Sequence, residues 1–187
     1  MNVLIDGATG TEVERRGVPQ LDNAWNGGGA LSHPEIVKQI HKDYINSGAE
    51  IIISNTFATT RHALRDANQE HNFEAFNTRG VELAIQAREE LSNNSILVAG
   101  GISYWTWTGN KPTQKELTLS VTKQAQVMKD AGADLIMLEM MIDIEQMITT
   151  IEAAQTSGLS VWVGLTCESN KSNEMCLRDW IKSGFTD

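Results

Sequence analysis

Five short runs of apolar residues punctuate the chain: Val3-Leu-Ile5, Ile51-Ile-Ile53, Ile96-Leu-Val98, Leu135-Ile-Met-Leu138 and Val161-Trp-Val163. Each is apolar at every position rather than at alternate ones. A strand that faces water on one side alternates, whereas a strand buried on both sides does not. The runs therefore predict parallel strands covered by helices.

The intervening segments carry the matching helical signals. Pro34 opens a stretch with Ile36, Val37, Ile40, Tyr44 and Ile45 on one face, and a second helix is predicted over about 69–91 with Phe73, Phe76, Leu83, Ala84, Ala87 and Leu91 inward. Thr113-Gln-Lys-Glu116 is a capping box, Asp143 caps a fourth helix, and a partial fifth is read near Met175 to Ser183. Ser47-Gly-Ala-Glu50 and Ala131-Gly-Ala-Asp134 precede strands in the same way, with glycine where a helix end favours a left-handed residue; Gly158 repeats the pattern.

Alternating strands and helices give an α/β fold class, either doubly wound or a TIM (βα)8 barrel. No Gly-x-Gly-x-x-Gly follows the first run, and Gly7-Ala-Thr-Gly10 lacks the Lys-Ser/Thr of a phosphate loop. Polar residues instead stand at every strand end: Asp6, Asn55 and Thr56, Gly100-Gly101, Glu139 and Thr166. A site assembled from several strand ends is barrel architecture. A closed barrel needs eight such units and roughly 250 residues. The 187 residues supply about five, so positions 1–187 are expected to be the N-terminal portion of a single barrel domain. The first and fifth strands would then have unpaired edges, which predicts self-association.

A formal net charge of −9 excludes the basic field that nucleic acid or an anionic membrane requires. No signal-like start or membrane-length apolar stretch is present, so a cytoplasmic protein with a small-molecule ligand is expected. Cys167 and Cys176 are too few for a disulfide scaffold and lack a metal-site partner, so both read as ordinary thiols. His33, His41, His62 and His71 likewise form no metal or triad pattern.

Two carboxylates carry the chemical signal. Asp6 opens the glycine-rich turn Asp6-Gly-Ala-Thr-Gly-Thr11; it reads either as a cation receiver beside exposed backbone N–H groups or as a helix cap. Glu139 ends an apolar run, where an unpartnered carboxylate is costly to desolvate, so a ligand or partner is expected. Together they suit the ammonium of an amino acid. Trp25 and the loop Ser103-Tyr-Trp-Thr-Trp107 bring aromatic rings to the same face, where they could hold a methylated cation or cover the barrel rim.

In order and spacing, Leu4-Ile-Asp-Gly-Ala-Thr-Gly-Thr-Glu12, Trp25 followed by His33-Pro-Glu-Ile-Val37 and His41, Gly48-Ala-Glu-Ile-Ile-Ile-Ser-Asn-Thr-Phe57 and Ala131-Gly-Ala-Asp-Leu-Ile-Met-Leu-Glu139 resemble the homocysteine S-methyltransferases. The resemblance implies a (βα)8 barrel that moves a methyl group from a cationic or cobalamin donor to the thiol of homocysteine, activated by zinc. It implies that Asp6 and Glu139 grip the amino group, that Gly7, Ala8, Thr9 and Thr56 meet the carboxylate, and that Trp25 faces the donor; the loop Gly100 to Trp107 departs from the family's patterns, and Trp105 is expected at the donor from its aromatic loop alone. The three cysteines that hold zinc in the family have no counterpart here, and Cys167 lies one unit too early. Thr59 and Thr60 stand where betaine-using members carry aromatics, which leaves the donor open between S-methylmethionine, betaine and similar cations. With no zinc ligands, the chain by itself is expected to be inactive.

Two other readings remain. A lyase- or aldolase-like barrel usually needs a strand-borne lysine, and no predicted strand has one. A non-catalytic fragment that only binds an amino acid fits the same carboxylates.

Overall fold

The computed structural model describes residues 3–93 and 95–166. Four of the five apolar runs form strands: β1 Ile51–Ile53, β2 Leu97–Ile102, β3 Leu135–Met141 and β4 Ser160–Leu165. All pair in parallel, in the order β1-β2-β3-β4. A sheet whose spatial order follows chain order curls toward a barrel, whereas a doubly wound sheet reverses direction at a switch point.

The first run departs from expectation. Val3, Leu4 and Ile5 form no named strand, only a parallel bridge between Ile5 and Ile51, and all three side chains are exposed. Glu50 N–H donates to Leu4 O at 2.8 Å and Asp6 N–H to Ile51 O at 2.9 Å. A third, longer bond runs from Ile51 N–H to Leu4 O at 3.3 Å, and the partner β1 is itself only three residues long. The run still leaves Asp6 in register with the end of β1.

Among the described residues seven α-helices precede or connect the strands: α1 Thr9–Arg15, α2 Gly29–Ser32, α3 Pro34–Asn46, α4 Arg61–Asp66, α5 Phe73–Glu90, α6 Gln114–Asp130 and α7 Ile144–Gln155. The expected caps form. Thr113 accepts from Glu116 N–H while the Glu116 carboxylate accepts from Thr113 N–H, and Asp143 accepts from Gln146 N–H at 2.9 Å. Gly48 and Gly132 have φ of +102° and +99°, the left-handed helix exit that glycine adopts without strain. The helix predicted over 69–91 begins later, at Phe73, after a 3₁₀ turn at Glu70–Asn72. Cys167, Cys176 and the helix expected near Met175 to Ser183 lie outside the described residues.

The sheet has two unlike faces. Ile52, Val98, Ile136 and Leu138 pack against α5, α6 and α7 through Val81, Ala84, Val121, Met128 and Met147. Each such fully buried aliphatic side chain contributes about 1.5–3 kcal/mol. Ile51, Ile53, Ala99, Leu135 and Met137 form a smaller cluster on the opposite face, the inside of the curl. Strict alternation would put Glu139 and Met141 on that inner face too. The pairing instead shifts after Leu138↔Val163 to Met141↔Leu165, so Glu139 and Met140 together oppose Gly164. Met140 takes up the extra residue at φ +59°, and Met141 turns back into the helix-side core. This β-bulge leaves Glu139 as the last inward residue of β3.

Candidate active site

The carboxyl ends of the first run, β1 and β3 surround a cavity of about 160 Å³. One wall is the backbone turn Gly7 to Gly10. Another is Ile53, Ser54, Asn55, Phe57 and Ala58 after β1. Trp25, Asn26 and Gly27 close a side, and Glu139 reaches in from β3.

The turn is shaped by what glycine omits. A β-carbon on Gly10 would stand 2.8 Å from the Trp25 ring, so the indole lies against bare backbone. Trp25 itself holds φ +42°, a conformation costing a non-glycine residue about 1–3 kcal/mol. Its main-chain oxygen accepts from Leu21 N–H at 2.7 Å.

Asp6 lies behind this turn. Its Oδ2 accepts from Ile53 N–H at 2.8 Å, while Oδ1 is buried with no partner. Burial pushes its pKa up to about 7, against the lowering effect of the Ile53 N–H. Glu139 is pushed up to about 8, first by burial and then by the charge of Asp6. Neither enters an ion pair among the described residues. At neutral pH the pair therefore retains proton.

The remaining expected site residues divide. Gly7, Ala8, Thr9 and Trp25 line the cavity. Thr56 is fully buried just beneath it, with its hydroxyl donating to Gly101 O at 2.7 Å and sharing a 2.8 Å hydrogen bond with Ser54. It braces β1 to β2 and is not in the cavity wall. Trp105 is not brought to this cavity. It borders a separate cleft with Tyr104, Lys111 and Asp143, and its carbonyl accepts from His62. The loop's other tryptophan comes closer: Trp107 meets Phe57 edge to face at 6.2 Å, and Phe57 meets Trp25 in the same geometry.

Asn26 and Phe57 were not singled out from sequence. Phe57 lies in a segment that carried the family resemblance, yet only packing reveals that it joins the two tryptophans. Asn26 is announced by nothing except the glycines that follow it. His41 and His62, read as unremarkable, are both buried. His41 has neither ring nitrogen hydrogen-bonded, and burial lowers its pKa to about 4.

Among the described residues no three His, Cys, Asp or Glu side chains group as a metal site. Asp6 and Glu139 offer only carboxylate oxygens, unlike a thiolate set. The described residues do not fit the zinc that the family resemblance implies, and no step is assigned through it. No described helix is long and apolar enough to cross a membrane.

Fold and cavity together define a barrel-type α/β protein with a pocket at its strand ends and two buried carboxyl groups beside it. The homocysteine S-methyltransferase family model matches residues 3–182, and the chain belongs to that family. Homocysteine S-methyltransferase 2 of Zea mays is 27% identical over 73% of this chain and 47% of its own length. Homocysteine S-methyltransferase of Escherichia coli is 29% identical, covering 73% and 49%; a selenocysteine methyltransferase of Astragalus bisulcatus is 28% identical, also over 73% and 49%. The chain thus spans about half the length of these curated relatives. The oxidized form of the Escherichia coli homocysteine methyltransferase MmuM superposes with a TM-score of 0.79 at 25% identity, over 98% of this chain and 70% of that one. Its metallated form gives 0.76 at 24% identity, over 89% and 63%.

Proposed function

We propose that the protein binds homocysteine in this cavity, as the amino-acid-binding part of a single barrel domain that moves a methyl group from a cationic donor to the homocysteine thiol. The observation that carries the reading is the pair Asp6 and Glu139, one carboxyl in the cavity wall and the other buried beside it behind the glycine turn, without a cation against either. An ammonium group supplies that cation. Its arrival favours the charged form of both acids, so protons leave as the ligand enters.

The backbone N–H groups of Gly7, Ala8 and Thr9 are the proposed contacts for the carboxylate, with Thr56 holding the wall behind them. Trp25, extended by Phe57 and Trp107, is the proposed surface for the donor's onium group, since ring faces attract such cations. S-methylmethionine and betaine are the donors to test. Zinc dependence belongs to this reading as well, with thiol activation assigned to no described residue. The 187-residue chain alone is therefore proposed to bind homocysteine without methylating it. The exposed Val3, Leu4 and Ile5 at one edge, with Trp162 and Leu165 of β4, favour self-association.

Calorimetric titration with homocysteine, paired with a methyl-transfer assay using both donors, tests this. Saturable heat without product is expected. Turnover by the 187 residues would overturn the proposed division of labour, and absence of any heat would overturn the substrate.

A further inference from the structure

Asn26 is 1% exposed and lines the cavity. Its side-chain Nδ2 donates to Gly10 O at 2.6 Å, and its main-chain oxygen accepts from Asn55 Nδ2 at 3.0 Å. The side-chain carbonyl Oδ1 is left buried with no donor. Rotating the amide would not help, because it would turn Oδ1 against Gly10 O and lose the existing bond. A carbonyl fixed in this way awaits a hydrogen-bond donor that the described protein does not supply.

Two more acceptors stand beside this one once the acids are ionised, Glu139 in the same cavity wall and Asp6 behind it. Asp6 has Oδ2 occupied by Ile53 and Oδ1 free, and Glu139 makes no hydrogen bond among the described residues. With its acids ionised, the site thus presents three unsatisfied acceptors on three different segments. A primary ammonium carries three N–H donors, whereas a carboxylate, a thioether or a fully methylated amine carries none in its place.

We propose that Asn26 Oδ1 is the third acceptor for the ligand's ammonium, beside Asp6 and Glu139, and that it makes the site selective for a primary amine. The inference rests on the proposed homocysteine site and adds to it a residue that sets specificity. Asn26 also ties the glycine turn to the end of β1, so its role as acceptor must be separated from its role as staple.

Homocysteine, its N,N-dimethyl derivative and 4-mercaptobutyrate, which lacks the amine, are titrated into the 187-residue chain and its Asn26→Ala and Asn26→Asp variants. For Asn26→Ala, homocysteine affinity is expected to fall about tenfold more than 4-mercaptobutyrate affinity, the size of one hydrogen bond to a charged group, any loss common to both ligands belonging to the staple. Asn26→Asp keeps an acceptor but loses the bond to Gly10, and is expected to retain the preference for homocysteine over both analogues. Equal losses for all three ligands would reduce Asn26 to a staple and overturn the proposal. Should Asn26→Ala not fold, the preference in Asn26→Asp decides: retained, it supports the proposal; lost, it overturns it. A wild-type chain that binds no homocysteine removes the underlying reading and this inference together.

Discussion

Glu139 occupies the space that a β-carbon on Gly101 would need. The would-be atom on β2 meets Glu139 Oε1, and lies 2.9 Å from Ile53 Cγ2. The bulge at Glu139 and Met140 aims the carboxylate across the sheet, and the glycine receives it. The acid and the gap are thus one feature built from two strands.

Gly101→Ala is therefore expected to displace Glu139. Overpacking at such a site costs about 1–3 kcal/mol of stability, and homocysteine affinity should drop at least tenfold. Gly28→Ala is the control, since its added methyl meets only Leu21 at 3.6 Å. Thermal melts and calorimetry on both variants check this; equal behaviour would show that Gly101 merely spaces the strands.

The acid pair makes both binding and stability depend on pH. Asp6 rises from 3.8 to about 7 and Glu139 from 4.5 to about 8 on folding, so the folded chain holds more protons than the unfolded one between about pH 4 and 8. Their stabilising contribution is fully present below pH 4 and is lost as pH rises toward 8. Ligand binding runs the other way: homocysteine affinity should climb from pH 6 to 8 with proton release. Titrations in buffers of different ionisation enthalpy measure that release, and Glu139→Gln should reduce it.

His41 imposes the opposite slope. Its pKa falls from 6.5 to about 4 in a site without a hydrogen-bond partner for either nitrogen. The unfolded chain takes up the proton first, so stability is lost between about pH 6.5 and 4, by roughly 3 kcal/mol at most. Chemical denaturation of wild type and His41→Leu across this range should show the difference in slope; parallel curves would rule out an unpartnered neutral His41.

Asn77 fixes the loop that follows β1. It donates to Thr59 O and Phe73 O and accepts from Thr59 Oγ1 and Gln124 Nε2, all within a fully buried cluster. Asn77→Ala leaves several of these groups unsatisfied and should cost about 2–4 kcal/mol. Thr59→Val, which removes one hydroxyl, should cost about 1 kcal/mol. Urea midpoints give both values.

Much of the fold was legible because burial leaves a simple mark. A strand covered on both faces is apolar throughout, and the glycine exits at Gly48, Gly132 and Gly158 mark helix ends. The first run forms only a bridge although it is apolar throughout, because apolarity reports burial propensity and not the length of the partner, and β1 offers only three residues. Asp6 and Glu139 stood out as charges ending apolar runs. Trp105 and Trp107 could not be told apart two positions away in one loop, since only the loop's path selects the ring that reaches Phe57. Asn26 was invisible for a similar reason: an unsatisfied carbonyl exists only after every other donor has been placed.

On the proposed function, Asp6 and Glu139 hold the ammonium of homocysteine, and titrating homocysteine into the wild-type chain and into Glu139→Gln at pH 8 separates that from binding elsewhere. Saturable one-to-one binding by wild type, weakened at least tenfold in Glu139→Gln while the melting temperature holds or rises, is the predicted result. Equal affinity in the two proteins would mean that Glu139 does not hold the ligand's ammonium.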